Sequence, residues 1–423
     1  MKVLWLNNIM TTVIAEHLKL NKGVNEGWIE GMLGEIVNHD IDVILVFPQR
    51  NEKHIIKGCV NGIGYYGYYE KVNRQAYDST LKETFETIIR ESNPDVIHVM
   101  GTEFPHSLSM IEAAENMGMI ENTVVSIQGL VSIYKNHWFA GIPENVYKKP
   151  TIRDIIKRDT VMKQYREFEK RGKYEVLALK KCKHVIGRTD WDFACTTQIN
   201  PEVQYHFNNE NLRDAFYMYQ WRIDSCEKHT IFVSQCIKTI KGFGYMLDAL
   251  KILIKKYPDV KLFAAGSGGL KKKLESPKWK LTSMERFILE KIERSNLQEH
   301  VEFLGTLNAL KMVERYQKAN VFVSPSIIEN SPNSVGEAMI LGVPTVSSDV
   351  GGVKNLLTHE SDGYIYQYDA PYMLAYYISK IFDDDDLAIK LSSSARSHAL
   401  VNHDRRINAE DLVNIYREVR INK

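Results

Sequence analysis

One stretch constrains the chain more than any other, and it lies between Val321 and Gly352. An apolar run, Val321-Phe322-Val323, leads into a polar loop that holds Pro325 and Pro332. A helix of small residues is expected from about Ser334 to Leu341. A second apolar run, Pro344 to Val346, ends before the glycine pair Gly351-Gly352. Strand, loop, helix, strand is the order of a parallel α/β unit, whose ligands gather at the carboxyl ends of the strands. Two carboxylates, Glu329 and Glu337, flank the loop.

The same grammar recurs along the chain. Lys2 to Leu6 reads as a first strand. Trp28, Met32, Leu33, Ile36 and Val37 repeat at helical spacing, and Ile41 to Phe47 follows as a buried strand. Pro94 to Val99, Thr123 to Ile127 and His184 to Thr189 continue the series, with a helix over Ser107–Met117. From Cys226 the pattern restarts: a strand in HTIFVS, an amphipathic helix over Tyr245–Lys256, then strands at Val260–Ala265, Val301–Leu304, Val321–Val323 and Pro344–Val346. A chain of 423 residues exceeds one ordinary core. Two α/β domains are therefore expected, with the boundary near Arg222 to Lys228. Asp383 to Asp386 reads as a solvated turn before a helix near Leu387, because acids suit helix N-termini. Asn408 to Val419 reads as a last helix.

Charge and cysteine content remove several function classes. The net charge is +1, so a globally basic nucleic-acid binder is not indicated. Five cysteines, none spaced C-x-x-C, argue for free thiols in a reducing compartment and against a zinc site or disulfide frame. The N-terminal apolar run is broken by Asn7 and Asn8, which argues against a secretory signal. No run is long enough to span a bilayer. Between Tyr147 and Lys183, thirteen Lys and Arg face five Asp and Glu, a local excess of eight. That segment is either a solvated helical face or a surface for an anionic membrane.

Several residues are placed for chemistry, each beside a plainer reading. The helix start near Ser334 presents backbone N–H groups and partial positive charge, which suit a diphosphate. Ser334-x-x-Glu337 also reads as a capping box. Glu329 follows an apolar strand at the ligand edge and has no packing reason to be there. Lys241-Gly242 follows the first strand of the second domain, where the lysine can reach a phosphate and the glycine lets backbone approach; a surface lysine is the alternative. Gly266-Ser267-Gly268-Gly269 is either a nucleotide-facing loop or a tight turn, and lacks the third glycine of a dinucleotide fingerprint. His98 reads as a core histidine. His106, on a loop after a strand, is better placed for chemistry.

Taken together, the E-x7-E pair Glu329/Glu337, Lys241-Gly242, GSGG (266–269), FLG (303–305) and VSSDVGG (346–352) resemble the retaining glycosyltransferases of family 4. PDVIH (94–98), VIGRTDWD (185–192) and YHFNNENLRDAFY (205–217) add to the resemblance. It implies the GT-B fold: two Rossmann-like domains facing each other across a cleft, with the C-terminal helix crossing back to the first. The expected division is 1–225 with 406–423, and 226–405. The resemblance gives Glu329 to the transferred sugar and Glu337 to the ribose. It gives the amides of Ser334 and Val335 and the Lys241 side chain to the donor's diphosphate, with Asn333 and Gln235 among the donor-binding residues. Gly27 and Gly266 would belong to loops on the donor phosphates, and Glu26 stands where a loop glycine is common.

Gln128 stands where many members have a histidine near the reacting sugar, and Ser234-Gln235 where many have Gly-Arg. With His106, Gln128 is a candidate contact to acceptor or sugar. No metal or cofactor is implied. The expected activity is transfer of a hexose-type sugar from a nucleotide diphosphate sugar to a glycan or lipid-linked glycan, in surface polysaccharide assembly, in the cytoplasm or peripherally at the inner membrane face. A nucleotide-sugar epimerase or phosphorylase shares the two-domain plan. Gln128 and Gln235 also fit a nucleotide-sugar-binding protein without catalysis.

Overall fold

The computed structural model describes residues 1–20, 27–71, 74–266, 270 and 277–420. The chain forms two compact α/β units. Unit 1 comprises residues 1–135, 167–213 and 403–423, and unit 2 comprises 136–166 and 214–402.

Unit 1 is built on eight strands: β1 (Lys2–Leu6), β2 (Asp42–Gln49), β3 (Ile56–Val60), β4 (Ile63–Tyr69), β5 (Val96–Met100), β6 (Thr123–Ser126), β7 (His184–Gly187) and β8 (Gln204–Phe207). Their order is β3-β4-β2-β1-β5-β6-β7-β8. Only β3 and β4 pair antiparallel, as a hairpin through Asn61-Gly62. The central strands β1 and β5 are buried on both faces (Val3, Leu4, Trp5; Val96, Ile97, Val99), as parallel strands sandwiched between helices must be. The last helix, Arg405–Val419, belongs to this unit. Its Ala409, Leu412, Val413, Tyr416 and Val419 join Val3, Trp5 and Leu45 in one core. Tyr416 accepts a hydrogen bond from the Trp5 indole (2.8 Å) and meets His98 Nδ1 at 2.6 Å. His98 Nε2 lies 2.7 Å from Ser126 Oγ, and burial pushes its pKa down to about 3. It is the satisfied core histidine that the strand pattern suggested.

Unit 2 holds six parallel strands: β9 (Thr230–Val233), β10 (Lys261–Ala265), β11 (Val301–Gly305), β12 (Val321–Ser324), β13 (Thr345–Ser348) and β14 (Tyr364–Tyr366). Their order is β11-β10-β9-β12-β13-β14. The chain starts in the middle, builds outward to β11, then returns beside β9 and builds the other way. That is the doubly wound order of dinucleotide-binding folds. The reversal leaves a crevice between the ends of β9 and β12. In unit 1 the corresponding reversal falls between β1 and β5.

The unit boundaries differ from the expected ones, and particular contacts account for it. Residues 136–166 cluster with unit 2. Asp154 accepts hydrogen bonds from Ser283 N and Oγ (2.8 and 2.7 Å), and Arg286 donates to the Lys149 carbonyl (2.9 Å). Residues 214–225 do the same, because Trp221 donates through its amide to Leu341 and through its indole to Ala319 (both 2.7 Å). The chain returns to unit 1 at His403, whose Nδ1 donates to the Glu210 carbonyl (2.8 Å).

Candidate functional site

The strongest site lies at the reversal point of unit 2. The loop after β9 reaches it through a single turn of 3-10 helix, Thr239–Lys241, ended by Gly242 at φ +63°. A Cβ at Gly242 would stand 1.8 Å from the Pro325 carbonyl oxygen. Only glycine lets the loop after β9 lie so close to the loop after β12. The Ile327 amide donates to the Ile240 carbonyl (2.8 Å) and ties the two loops together. The Lys241 ammonium consequently pairs with the Glu329 carboxylate. Ser326 Oγ donates to the same oxygen of Glu329 (2.7 Å).

The backbone of Glu329 is fixed as well. Gly351, at φ +49°, would place a Cβ 1.7 Å from the Glu329 carbonyl oxygen, and the Gly352 amide donates to that oxygen (3.3 Å). The glycine pair after β13 is therefore a seat for Glu329. Pro325 to Asn330 are buried throughout, while Lys241 keeps partial exposure. A charge pair at the open end of a sheet, with both backbones fixed, is a preorganised polar site.

The helix behind the loop runs Asn333–Leu341 and starts one residue earlier than expected. Its N-cap is Pro332, and no side chain caps it. Ser334 lies inside the first turn, so Ser334 and Glu337 do not form a capping box. Capping boxes do form at Thr282/Glu285 and Thr189/Asp192. The first-turn amides of Asn333 and Ser334 have no intrahelical acceptor. The Val335 amide, expected at the diphosphate, donates to the Pro332 carbonyl (2.9 Å). The Ser334 carbonyl accepts from Tyr316 (3.0 Å). Glu337 is buried one turn into the helix.

The remaining donor-side residues are placed unevenly. Gln235 is exposed in the loop after β9. Gly266, at φ +61°, sits where a Cβ would meet the Ser234 carbonyl at 2.9 Å, so the loop ends after β9 and β10 touch. Residues 267–269 lie outside the described residues, and so does Glu26. Gly27 opens the helix Gly27–Ile36 in unit 1. The stem of Arg213 lies over it, and Gly31, one turn on, faces the Leu212 carbonyl. Close packing of that helix accounts for both glycines.

In unit 1 the structure ties the candidates to neighbours. His106, six percent exposed, meets Asn8 Oδ1 at 2.9 Å and stacks on Phe104. Burial, with Arg74 nearby, pushes its pKa down to about 3. It is a neutral group in the first turn of the helix His106–Asn116, not on the expected loop, and is unsuited to acid or base work near neutral pH. Arg74 lies 3.7 Å over the Phe104 ring and donates to the Asn8 carbonyl (3.1 Å).

Gln128, after β6, donates to Glu210 (2.6 Å) and accepts from Arg188 (3.3 Å). Arg188 and Glu210, both almost buried, pair at 2.9 Å. Glu210 Oε2 and Arg188 Nε are buried without hydrogen-bond partners. Glu175 holds the next residues: Val131 N (3.0 Å), Ser132 N (2.8 Å) and Thr102 Oγ1 (3.1 Å) all donate to its carboxylate. Burial raises its pKa to about 7 against those bonds. Arg188 and Glu210 lie within VIGRTDWD and YHFNNENLRDAFY, but neither they nor Glu175 were singled out as site residues, since their pairing joins segments distant in sequence. Among the described residues no group of three His, Cys, Asp or Glu side chains could hold a metal ion.

A doubly wound sheet with a lysine, a buried carboxylate and an uncapped helix start at its reversal point is the geometry of a nucleotide-binding α/β domain. Residues 215–398 match the family model described as glycosyl transferases group 1.

The chain is 26% identical to an uncharacterized glycosyltransferase of Methanocaldococcus jannaschii over 299 residues, 69% of this chain and 66% of the relative. It is 27% identical to a D-inositol 3-phosphate glycosyltransferase of Corynebacterium urealyticum over 184 residues, 43% of this chain and 41% of the relative. The chain thus spans less than two thirds of these relatives' own length. The fold is similar over nearly the whole chain to that of several solved structures. For sucrose-phosphate synthase from Thermosynechococcus elongatus the TM-score is 0.68 at 15% identity, covering 99% of this chain and 98% of that one. For Anabaena HepE in complex with UDP it is 0.66 at 14% identity, covering 99% and 100%.

Proposed function

We propose that this protein is a retaining glycosyltransferase of family 4 that transfers a hexose-type sugar from a nucleotide diphosphate sugar to a glycan or lipid-linked glycan hydroxyl. The observation that carries the reading is the Lys241–Glu329 pair beside the open start of helix Asn333–Leu341. An ammonium and free backbone amides at one point suit a diphosphate, and a carboxylate next to them suits sugar hydroxyls. The UDP complex of the structurally similar HepE supports a nucleotide-sugar donor.

In the reaction, the bond from the anomeric carbon to the diphosphate oxygen breaks. The acceptor hydroxyl oxygen bonds that carbon on the same face, and its proton passes to the departing phosphate oxygen. Lys241 and the amides of Asn333 and Ser334 offset the charge growing on the diphosphate. Released from Lys241 by the donor, Glu329 orients the sugar and balances positive charge at its anomeric carbon. Glu337 holds the ribose. Surface polysaccharide assembly at the inner membrane face is the setting that fits such an acceptor.

The test is a thermal-shift screen of purified protein against UDP-, GDP-, ADP- and dTDP-sugars, followed by a donor hydrolysis and transfer assay with the sugar that stabilises most. One nucleotide sugar should stabilise the protein and turn over with retained configuration. Binding without hydrolysis or transfer would replace the enzyme with a nucleotide-sugar-binding protein.

A further inference from the structure

Unit 2 carries an apolar and basic patch that plays no part in the donor site. It is formed by the helix Ile152–Ile156 and the turn Lys278–Lys280. Ile152, Ile155 and Ile156 are 60%, 59% and 69% exposed, and Trp279 is 55% exposed. At spacings of three and four, the three isoleucines share one face of the helix. Asp154 falls on the opposite face. It is buried there and bonded to Ser283 N and Oγ. The Thr151 side chain caps the helix start, and Arg286 holds the Lys149 carbonyl just before it. A five-residue helix has no stability of its own. This one is pinned to unit 2 through its polar side and presents its apolar side to solvent. The turn carrying Trp279 lies against it.

The charge around the patch is predominantly positive. Lys149, Lys157, Arg158 and Lys280 are exposed, and Lys280 Nζ lies 5.3 Å from the Trp279 ring centroid. The nearby acids are engaged: Asp154 is buried, Asp159 pairs with Arg153 (3.2 Å), and Glu144 pairs with Lys148 (2.7 Å). Elsewhere the basic segment is dispersed. Arg171 is buried, Lys181 pairs with Glu115, and Lys183 faces Glu121 at 3.9 Å. Part of the positive charge read from the sequence, at Lys149, Lys157 and Arg158, thus lies at the surface around the isoleucines.

Aliphatic side chains and a tryptophan ringed by lysines match the boundary between headgroups and acyl chains. There the apolar groups enter the hydrocarbon edge, the indole sits at the interface, and the ammonium groups meet anionic headgroups. Among the described residues no helix is long and apolar enough to cross a membrane, so any attachment through these residues is to a surface. We infer that Ile152, Ile155, Ile156 and Trp279, with their surrounding lysines and arginine, dock this protein onto a bilayer that bears anionic lipid. The inference is independent of the nucleotide-sugar reading, because its test contains neither nucleotide nor acceptor.

The test is co-sedimentation of the full chain with phosphatidylcholine vesicles, with or without about a third phosphatidylglycerol, paired with tryptophan fluorescence. Trp279 is the one exposed tryptophan of the six, so a blue shift on binding reports this patch. The protein should pellet with the anionic vesicles, less so at high salt, and its emission should shift to the blue. The double variant Ile155→Ser/Ile156→Ser should bind more than roughly tenfold more weakly, as expected from the apolar groups withdrawn. Lys280→Ala should weaken binding roughly fivefold, the equivalent of one surface charge. Trp279→Phe should still pellet but lose the blue shift.

These substitutions are at the surface, and unchanged thermal unfolding would show that each variant is folded. Equal binding to neutral and anionic vesicles would overturn the inference, and so would full binding by the folded isoleucine variant. A concentration-dependent dimer in ultracentrifugation, lost in that variant and accompanied by no vesicle binding, would also overturn it and assign the patch to a second copy.

Discussion

The two units solve the same topological problem in opposite ways. Each sheet reverses direction once, between β1 and β5 in unit 1 and between β9 and β12 in unit 2. Each reversal gathers polar residues at the strand ends. In unit 1 several are bonded to one another or packed, since Asn8 bonds His106 and meets Glu103 (3.3 Å) and Arg74 covers Phe104, while the Asn7 side chain just after β1 is buried without a hydrogen-bond partner. In unit 2 they are held, with Glu329 buried and Lys241 reachable. Lys241 and Glu329 are fixed through their backbones by Gly242 and Gly351, the lysine is partly exposed, and the neighbouring helix start is uncapped. Topology alone therefore marks a crevice, and the availability of polar groups decides whether it is a site for chemistry.

The largest expected effect separates the two points by turnover. Glu329→Ala should lower sugar transfer about a hundred- to a thousandfold, the range for losing one preorganised electrostatic group, and leave nucleotide affinity nearly unchanged. His106→Gln should leave turnover within about twofold, since the neutral imidazole only packs and bonds Asn8. Steady-state kinetics on both variants would break the comparison if His106→Gln proved the more damaging. Next come the glycines. Gly242→Ala and Gly351→Ala force a Cβ onto a carbonyl oxygen at positive φ. Each should cost about 3 kcal/mol or more, read from urea unfolding.

Stability also responds to acid. The pKa values of His98 and His106 are both pushed down to about 3 by burial. In the unfolded chain they take up protons near the ordinary value of 6.5, so between pH 6.5 and 3 the unfolded state binds more protons. Their contribution to stability is complete above pH 6.5 and is lost as pH falls toward 3. His106→Gln should flatten that acid limb in a series of unfolding curves. The smallest effect is at Gln128. Gln128→Ala leaves Glu210 and Arg188 one partner short and should cost about 1–2 kcal/mol.

Much of this was legible in the sequence because it is local. Apolar runs such as Val321–Val323 and the helical repeat from Trp28 marked the elements, and Glu329 stood out as a carboxylate with nothing to pack against. The hairpin β3–β4 was not read, because IGYYGYY interrupts its apolar alternation with two glycines. β14, at three residues, is too short to signal itself. The capping-box reading of Ser334 failed because Pro332 starts the helix one residue earlier than expected. Strand order, the Gln128–Arg188–Glu210 cluster and the assignment of residues 136–166 to unit 2 all rest on pairs distant in sequence. No periodicity reports such pairs.

Calorimetric titration of the nucleoside diphosphate chosen by the thermal screen tests the central claim most directly. It should be run on the unmodified protein, Lys241→Ala and His106→Gln. Loss of one charge-assisted bond of about 2 kcal/mol predicts affinity reduced roughly thirtyfold in Lys241→Ala, with His106→Gln unchanged. Undiminished affinity in a folded Lys241→Ala protein would contradict the placement of the diphosphate at the reversal point of unit 2.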